Sequence, residues 1–250
     1  MTSEAPVDIV RHRWASILGD QYVGQESLVP WLDIYRTLKH DLQPGRMFLD
    51  LGCGTGAIAC CLARDAGVRV IGVDHNAAQV KQARDRAATL GLSAEAKFVA
   101  GDIDNLPINC TVAGTYAIDS LCYSADLHLL LQRLALMMRT EAILFATVWC
   151  CESGASDLAR AWGFSRPYAL ADLKAICTAV PFRIVRLWEP PRAFLRRCQG
   201  SLKSLTRLRH VLESEAGVAT YQARFTLERC TVAAVQSRQL RQLYVILRRE

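Results

Sequence analysis

The chain has 250 residues, is 51% apolar and carries a formal net charge of +6 at pH 7, so it is long enough for one α/β domain with an appended subdomain. Its apolar runs are too short to cross a bilayer, and its first twenty residues lack the apolar core of a signal peptide. The ten cysteines show no C-x-x-C spacing, which favours reduced core residues over a metal site. We therefore expect a cytoplasmic protein without a membrane partner or a bound metal.

Strands and helices alternate along most of the chain. Helical spacing over 27–39 ends at Gln43-Pro44-Gly45, and the alternation begins directly after it. Seven strands are predicted, at 47–51, 68–73, 96–100, 116–120, 142–149, 182–187 and 240–247. Helices are predicted between them at 55–66, 77–90, 127–138 and 169–180. This pattern predicts a mostly parallel sheet with helices on both faces.

Two more helical stretches, near 202–212 and 219–235, fall between the last two strands. Pro190-Pro191 marks the entrance to this insertion. We predict four segments, namely an N-terminal helical cap at 1–45, a core at 46–189, a helical substrate cover at 190–239 and the final strand of the core sheet at 240–250.

Charge is uneven along the chain. Residues 183–250 carry 14 Lys/Arg and 5 Asp/Glu, whereas residues 1–182 carry 16 Lys/Arg and 19 Asp/Glu. A basic carboxyl-terminal part can bind phosphate, carboxylate or nucleic acid, but solvated helix faces explain the same arginines. Both interpretations stay open at this point.

The first strand runs into a glycine loop with the sequence Leu49-Asp50-Leu51-Gly52-Cys53-Gly54-Thr55-Gly56. Three glycines at alternate positions let the backbone turn tightly and approach a ligand. A carboxylate at the strand tip would repel a pyrophosphate but attract a cationic ligand. The alternative is a nicotinamide or flavin enzyme, because Gly52, Gly54 and Ala57 also fit a relaxed dinucleotide pattern.

Acidic residues end four of the predicted strands, at Asp50, Asp74, Asp102 and Asp119. The carboxyl ends of parallel strands are where open α/β sheets bind ligands, so these acids should converge on one edge. Asp74 follows the loop by about twenty residues, where a carboxylate can accept both hydroxyls of a ribose. Asp102 can accept from a base amino group, and Ile103 can lie against the base.

With Gly72-Val73-Asp74 and Gly101-Asp102-Ile103-Asp104-Asn105-Leu106-Pro107, the loop resembles class I S-adenosylmethionine-dependent methyltransferases. The resemblance implies a Rossmann-like fold and an enzyme that moves a methyl group by in-line displacement, leaving S-adenosylhomocysteine. One departure is Met138-Arg139-Thr140-Glu141 before strand five, where the family often has a glycine pair, so that turn must be built differently. The cofactor-binding residues that it implies are Asp50, Gly52, Cys53, Gly54, Gly56, Asp74, His75, Gln79, Asp102, Ile103 and Asp119.

Candidates for the chemistry follow strand four. Asp119 can orient or deprotonate an acceptor, Tyr123 can contact it, and His128 is a third candidate, although capping or packing explains each of them as well. Candidate substrate residues come from other parts of the chain. Tyr22 precedes the first helix, Trp162 and Tyr168 can wall an aromatic pocket, and Arg192 and Arg196 can hold an anion.

The preferred hypothesis is a methyltransferase of natural-product type that acts on a small molecule in secondary metabolism. An anionic small molecule is among the substrates that this hypothesis allows. The alternative is an RNA or protein methyltransferase that binds through the basic carboxyl-terminal part, but no RNA-binding module is recognisable. A non-enzymatic cofactor-binding scaffold is a third hypothesis. Nucleic acid is a disfavoured partner, and a homodimer is left open.

Overall fold

A computed structural model describes residues 34, 36–152, 156–190 and 192–250. Seven strands form one sheet in the order β3-β2-β1-β4-β5-β7-β6. The first five strands are parallel, and β7 runs antiparallel to both β5 and β6. The fold class predicted from the sequence is confirmed. The strands are β1 Met47–Leu51, β2 Arg69–Asp74, β3 Ala96–Ala100, β4 Val112–Ile118, β5 Met138–Cys151, β6 Phe182–Trp188 and β7 Leu240–Arg249.

Helices cover both faces of this sheet, and three of them lie between β6 and β7. No helix in the described part of the chain is long and apolar enough to cross a membrane. The predicted helix at 27–39 lies largely outside the described residues, as does most of the predicted cap at 1–45. The helices are α1 Ala57–Ala66, α2 Ala77–Thr89, α3 Leu127–Met137, α4 Ser156–Ala161, α5 Leu170–Thr178, α6 Ala193–Arg207, α7 Arg209–Ala216 and α8 Val218–Gln236, with 3₁₀ turns at Ile103–Asn105 and Leu121–Tyr123.

The alternation of side chains along β1 divides the core into two layers. Leu49 and Leu51 join a buried cluster that includes residues of α3 and α5. Phe48 points to the opposite face and joins a cluster with residues of α1 and α2. Since side chains two residues apart in a strand share a face, Asp50 lies on the Phe48 side. A carboxylate is therefore embedded at the edge of an apolar layer.

The turn into β5 is built without the glycine pair. The register between β4 and β5 shifts between the pairs Val112–Met138 and Gly114–Ile143, so extra residues of β5 are accommodated there. Glu141 is one of these extra residues, and its φ of 66° lies in the left-handed region that favours glycine. Its carboxylate pairs with Arg248 of β7 at 3.1 Å. A side chain thus stands where glycine would be less strained.

Replacing Glu141 with glycine should raise the free energy of unfolding by about 0.5 kcal/mol, or roughly 1–2 °C in melting temperature. Relief of the left-handed strain is worth about 1 kcal/mol, and the lost pair with Arg248 offsets part of it because both side chains are exposed. Glu141→Ala is the matched control, since it loses the pair but keeps the strain. Urea denaturation should rank glycine above wild type and alanine below it; the reverse order of the two variants would contradict this account.

Candidate functional site

The carboxyl ends of four parallel strands lie side by side at one edge of the sheet, because β3, β2, β1 and β4 are neighbours in that order. Asp102, Asp74, Asp50 and Asp119 stand at or just beyond those ends. A cavity of about 470 Å³ opens at this edge. It is lined by Gly52, Gly54, Asp74, His75, Asn76, Gln79, Asp102, Ile103, Ile118, Asp119, Ser120, Tyr123, Gly163 and Ser165.

The three glycines of the loop all have positive φ, but they have different structural roles. A Cβ on Gly54 would project toward the cavity, with only the Gln79 side chain at 3.7 Å. A Cβ on Gly52 would lie 2.4 Å from the Cβ of Ser120, and one on Gly56 would collide with Phe98. Gly54 therefore keeps space open for a ligand, whereas Gly52 and Gly56 allow close packing. Gly56 is absent from the lining, contrary to its predicted place in the cofactor site.

Asp74 ties the glycine loop to the start of α2. Its Oδ2 accepts a hydrogen bond from the Gly54 amide and its Oδ1 accepts one from the Asn76 amide, both at 2.9 Å. Asn76 in turn caps α2 by accepting from the amide of Gln79 at 3.0 Å. Each carboxylate oxygen can accept a second bond, so Asp74 holds the loop and still offers two acceptors to a ligand in the cavity.

Asp50 lies behind the loop and is nearly fully buried. Its neighbour across the β1–β4 pairing is Tyr116. Burial raises the pKa of Asp50 to about 8; the Tyr116 hydroxyl lowers it and the Asp74 charge raises it further. The carboxyl is not part of the cavity lining. Contact with a bound cation thus requires a water molecule or a small movement of the loop.

Cys53 faces away from the cavity. Its side chain is buried, and burial together with the charges of Asp50 and Asp74 raises the pKa of its thiol. Its amide donates to the carbonyl of Val73 at 3.1 Å, which leaves the amide engaged with β2. The predicted cofactor contact of Cys53 is therefore not supported by its position, because the turn that exposes Gly54 places Cys53 inward.

The turn after β3 provides the rim of the cavity. The Asp102 Oδ1 accepts from the amide of Asp104 at 2.9 Å, and Ile103 is buried beside it. Asp104 then accepts from the Ser124 hydroxyl at 2.5 Å and from the Ala125 amide at 2.7 Å. The loops after β3 and β4 are thereby joined, and Asp102 and Ile103 both face the cavity.

Asp119 is held from three sides. Its Oδ1 accepts from the Thr147 hydroxyl at 2.7 Å and from the Gln242 side chain at 2.5 Å, and its Oδ2 pairs with Arg197 at 2.7 Å. Tyr123, on the following turn, also lines the cavity and packs edge-on against Phe164. The arrangement suits a fixed hydrogen-bond acceptor better than a mobile base.

The sequence did not point to Thr147, Gln242 or Arg197 as partners of Asp119. Each is a polar side chain inside an otherwise apolar strand or on an amphipathic helix, which is a weak signal. Thr147 and Gln242 are buried on β5 and β7, separated by 95 residues in sequence. Both residues reach Asp119 at the tip of β4, because β5 lies next to β4 in the sheet and β7 lies next to β5.

His128 is misplaced as a catalytic candidate. Because α3 begins at Leu127, His128 is its second residue, and it is not among the residues that line the cavity. Asp126 caps this helix through the amide of Leu129 at 3.0 Å.

The predicted aromatic wall is part of the core. Trp162 is buried, donates to the Thr231 hydroxyl at 2.8 Å and packs against Trp149. Tyr168 is also buried and bridges to Cys150 of β5. Neither lines the cavity, since Trp162 contacts α8 and Tyr168 pairs with β5.

The predicted anion site is not formed by Arg192 and Arg196. Both side chains are exposed, and neither lines the cavity. Arg197, about 100° further round α6, is the arginine that reaches Asp119. The expected Tyr22 contact lies outside the described residues.

The cavity is acidic, although the chain as a whole is basic. Among the described residues that line it are three aspartates and one histidine, with no lysine or arginine. Some arginines of the carboxyl-terminal part pair with acids away from the cavity, as in Arg209 with Glu213 and Arg248 with Glu141. This lining favours a cationic or neutral ligand over an anion.

Comparisons with known proteins agree with this architecture. Residues 48–141 match the model of a family described as a methyltransferase domain. The chain is also 37% identical over 94 residues to the methyltransferase phqN of Penicillium fellutanum, and the match covers 37% of this chain but only 29% of that protein.

Two solved structures share the fold of most of this chain. Geranyl diphosphate C-methyltransferase from Streptomyces coelicolor A3(2), in complex with Mg²⁺, geranyl diphosphate and S-adenosylhomocysteine, has a TM-score of 0.66 at 16% identity, covering 86% of this chain and 77% of that one. The [4+2]-cyclase SpnF has a TM-score of 0.72 at 21% identity, covering 86% and 80%. Since a cyclase shares it, the fold alone does not determine the reaction.

Proposed function

We propose that the protein transfers a methyl group from S-adenosylmethionine to a small-molecule acceptor in secondary metabolism. The observation that carries the proposal is Asp74, which binds the Gly54 amide at 2.9 Å and keeps two acceptor positions at the cavity. A nucleoside ribose presents the matching pair of hydroxyls. Geranyl diphosphate, which the similar methyltransferase from Streptomyces coelicolor A3(2) binds, is a small molecule and supports a compact acceptor.

The residues present fit the cofactor. Asp74 would hold the ribose, while Asp102 and Ile103 would hold the adenine from the β3 side. His75 and Gln79 line the same region. Asp50 lies behind the loop, and a bound methionine ammonium would favour the ionised form of its carboxyl. When bound, the cofactor supplies an electrophilic methyl on a sulfonium.

The protein's contribution is alignment and the exclusion of water. Asp119 would accept a hydrogen bond from the acceptor at a fixed position, and Tyr123 would pack beside it. Asp119 and Tyr123 would thus hold the acceptor in line with the methyl that the cofactor would supply, and the acceptor's proton would pass to solvent. A dedicated base is not required for this step if the acceptor is already nucleophilic.

Calorimetric titration with S-adenosylhomocysteine tests the cofactor site. We expect binding to the wild type and a roughly 10- to 100-fold weaker affinity for Asp74→Ala, since charged hydrogen bonds contribute about 1.5–3 kcal/mol. Asp85→Ala, which removes an exposed acid of α2, is the matched control and should bind normally. Thermal melts check that both variants fold. Wild-type protein that binds NAD instead would contradict the proposal and favour the dinucleotide alternative.

Acceptor classes are then compared with radiolabelled S-adenosylmethionine. Turnover of small molecules would agree with the proposal, with neutral and cationic compounds preferred because of the acidic lining. Salt-dependent methylation of tRNA or rRNA would instead support the nucleic-acid alternative. Cofactor binding without any turnover would favour the scaffold interpretation.

A further inference from the structure

The tip of β4 is strained and must be held by its surroundings. Asp119 has φ of 54°, a left-handed conformation that a residue with a Cβ adopts at some energetic cost. Its amide donates to the hydroxyl of Thr147 at 2.9 Å and approaches the carbonyl of the same residue at 3.2 Å. The backbone of Asp119 is thus fixed by β5 before its side chain is considered.

The side chain is fixed by two elements from the far end of the chain. Gln242 of β7 donates to Oδ1 at 2.5 Å, and Arg197 of α6 pairs with Oδ2 at 2.7 Å. Both oxygens are therefore engaged by the protein while the residue still lines the cavity. The carboxylate cannot rotate toward a ligand without breaking one of these contacts.

Arg197 is itself firmly seated. Its guanidinium lies 5.2 Å from the ring of Phe194, which packs edge-on against Trp149. Burial has the largest single effect and lowers the pKa of the Arg197 guanidinium, but the charge and hydrogen bond of Asp119, together with Cys198 and Tyr244, raise the pKa above its usual value. A permanent positive charge is thus placed directly behind an acid of the cavity wall.

We propose that Arg197 is a positioning residue that holds the Asp119 carboxylate and balances its charge at the wall of the cavity. This inference rests on the proposed function. Besides Asp119, the lining has two aspartates and one histidine and, among the described residues, no lysine or arginine, so Arg197 sets how strongly the β4 tip attracts positive charge. The sulfonium of S-adenosylmethionine carries such a charge, and the thioether of S-adenosylhomocysteine does not.

The ratio of the dissociation constants of these two compounds therefore reports the role of Arg197. We expect Arg197→Met to shift this ratio toward S-adenosylmethionine by roughly five- to tenfold, because Asp119 loses its counter-charge. Asp119→Asn should shift it in the opposite direction. The double variant should lie near the wild type, since both charges are gone.

Two further variants separate charge from packing. Arg197→Lys keeps the charge and should retain a ratio near that of the wild type. Arg196→Met, at the neighbouring exposed position of α6, is the matched control and should leave both affinities unchanged. Calorimetry without acceptor provides all the constants, and thermal melts record stability separately.

An unchanged ratio in Arg197→Met, or an equal loss of affinity for both compounds, would overturn the inference and leave Arg197 a structural residue. The proposed function would stand in that case, because it depends on wild-type binding and on Asp74. If Arg197→Met does not fold, the other two variants test the inference. Asp119→Asn should shift the ratio of dissociation constants toward S-adenosylhomocysteine, and Arg197→Lys should keep the ratio of the wild type. Wild-type protein that binds neither compound would instead overturn the proposed function.

Discussion

Replacing Asp50 with asparagine should stabilise the folded protein at pH 8 by at least about 2 kcal/mol. Burial raises the pKa of this carboxyl to about 8, whereas in the unfolded chain an aspartate titrates near 3.9. Between these values the unfolded state binds fewer protons, so the free energy of unfolding falls as the pH rises from about 4 to about 8. Each unit of pKa difference corresponds to about 1.4 kcal/mol, and asparagine removes this loss.

Urea denaturation at several pH values between 4 and 8 measures the effect. The stability gained by Asp50→Asn should grow with pH across this range and level off above pH 8. Asp102→Asn is the matched control, because it changes an exposed acid of the same sheet edge, and its stability difference should stay flat. A gain that shrinks with rising pH would contradict the account. Weaker binding of S-adenosylhomocysteine by Asp50→Asn would indicate that the protein tolerates this buried acid for ligand binding.

Arg224→Met should lower the free energy of unfolding by about 3–5 kcal/mol, or roughly 10 °C in melting temperature. Arg224 and Glu228 of α8 form an almost fully buried ion pair at 2.6 Å. Glu228 also accepts from Ser201 of α6 at 2.9 Å, and the Arg224 guanidinium lies 4.3 Å from the Trp162 ring. Removing the arginine breaks a buried ion pair from one side, which is among the most destabilising single changes.

Two further variants make this result interpretable. Arg209→Met breaks an ion pair with Glu213 of the same i,i+4 spacing, but one whose arginine is largely exposed, so it should change stability by no more than about 0.5 kcal/mol. Arg224→Met combined with Glu228→Leu should recover most of the loss, because no charge is then left buried. Equal stabilities for Arg224→Met and Arg209→Met in thermal and urea unfolding would show that the buried pair does not secure the inserted helices.

Local sequence patterns predicted most of the strands and helices of the sheet domain. Alternating apolar strands, amphipathic helices and the glycine loop gave the right fold class, and β1 begins and ends where its sequence predicts. Boundaries failed where tertiary pairing extends an element. β5 starts at Met138 instead of 142, because pairing with β4 recruits residues that have no strand pattern of their own. α4 was not predicted, since a six-residue helix has little periodicity to detect.

In the candidate site, too, some residues could be predicted from the sequence and others could not. Gly54, Asp74, Asp102 and Ile103 line the cavity because strand tips of a parallel sheet share one edge, a rule that the sequence pattern alone can apply. The positions of Trp162, Tyr168 and His128 depend on how loops fold back, and a residue type gives no information about that direction. Aromatic side chains gain more from packing together than from lining a wet cavity, so they join the core.

The sequence by itself therefore determined the fold class, the glycine loop and the row of acids at the sheet edge, because these follow from local periodicity and backbone sterics. Only the tertiary structure decided that Asp50 is buried behind the loop, that Gly56 serves packing, and that Asp119 is held by Thr147, Gln242 and Arg197. Those contacts join residues up to 123 positions apart. Such long-range pairings depend on the order of strands and the path of the inserted helices, which leave no periodic trace along the chain.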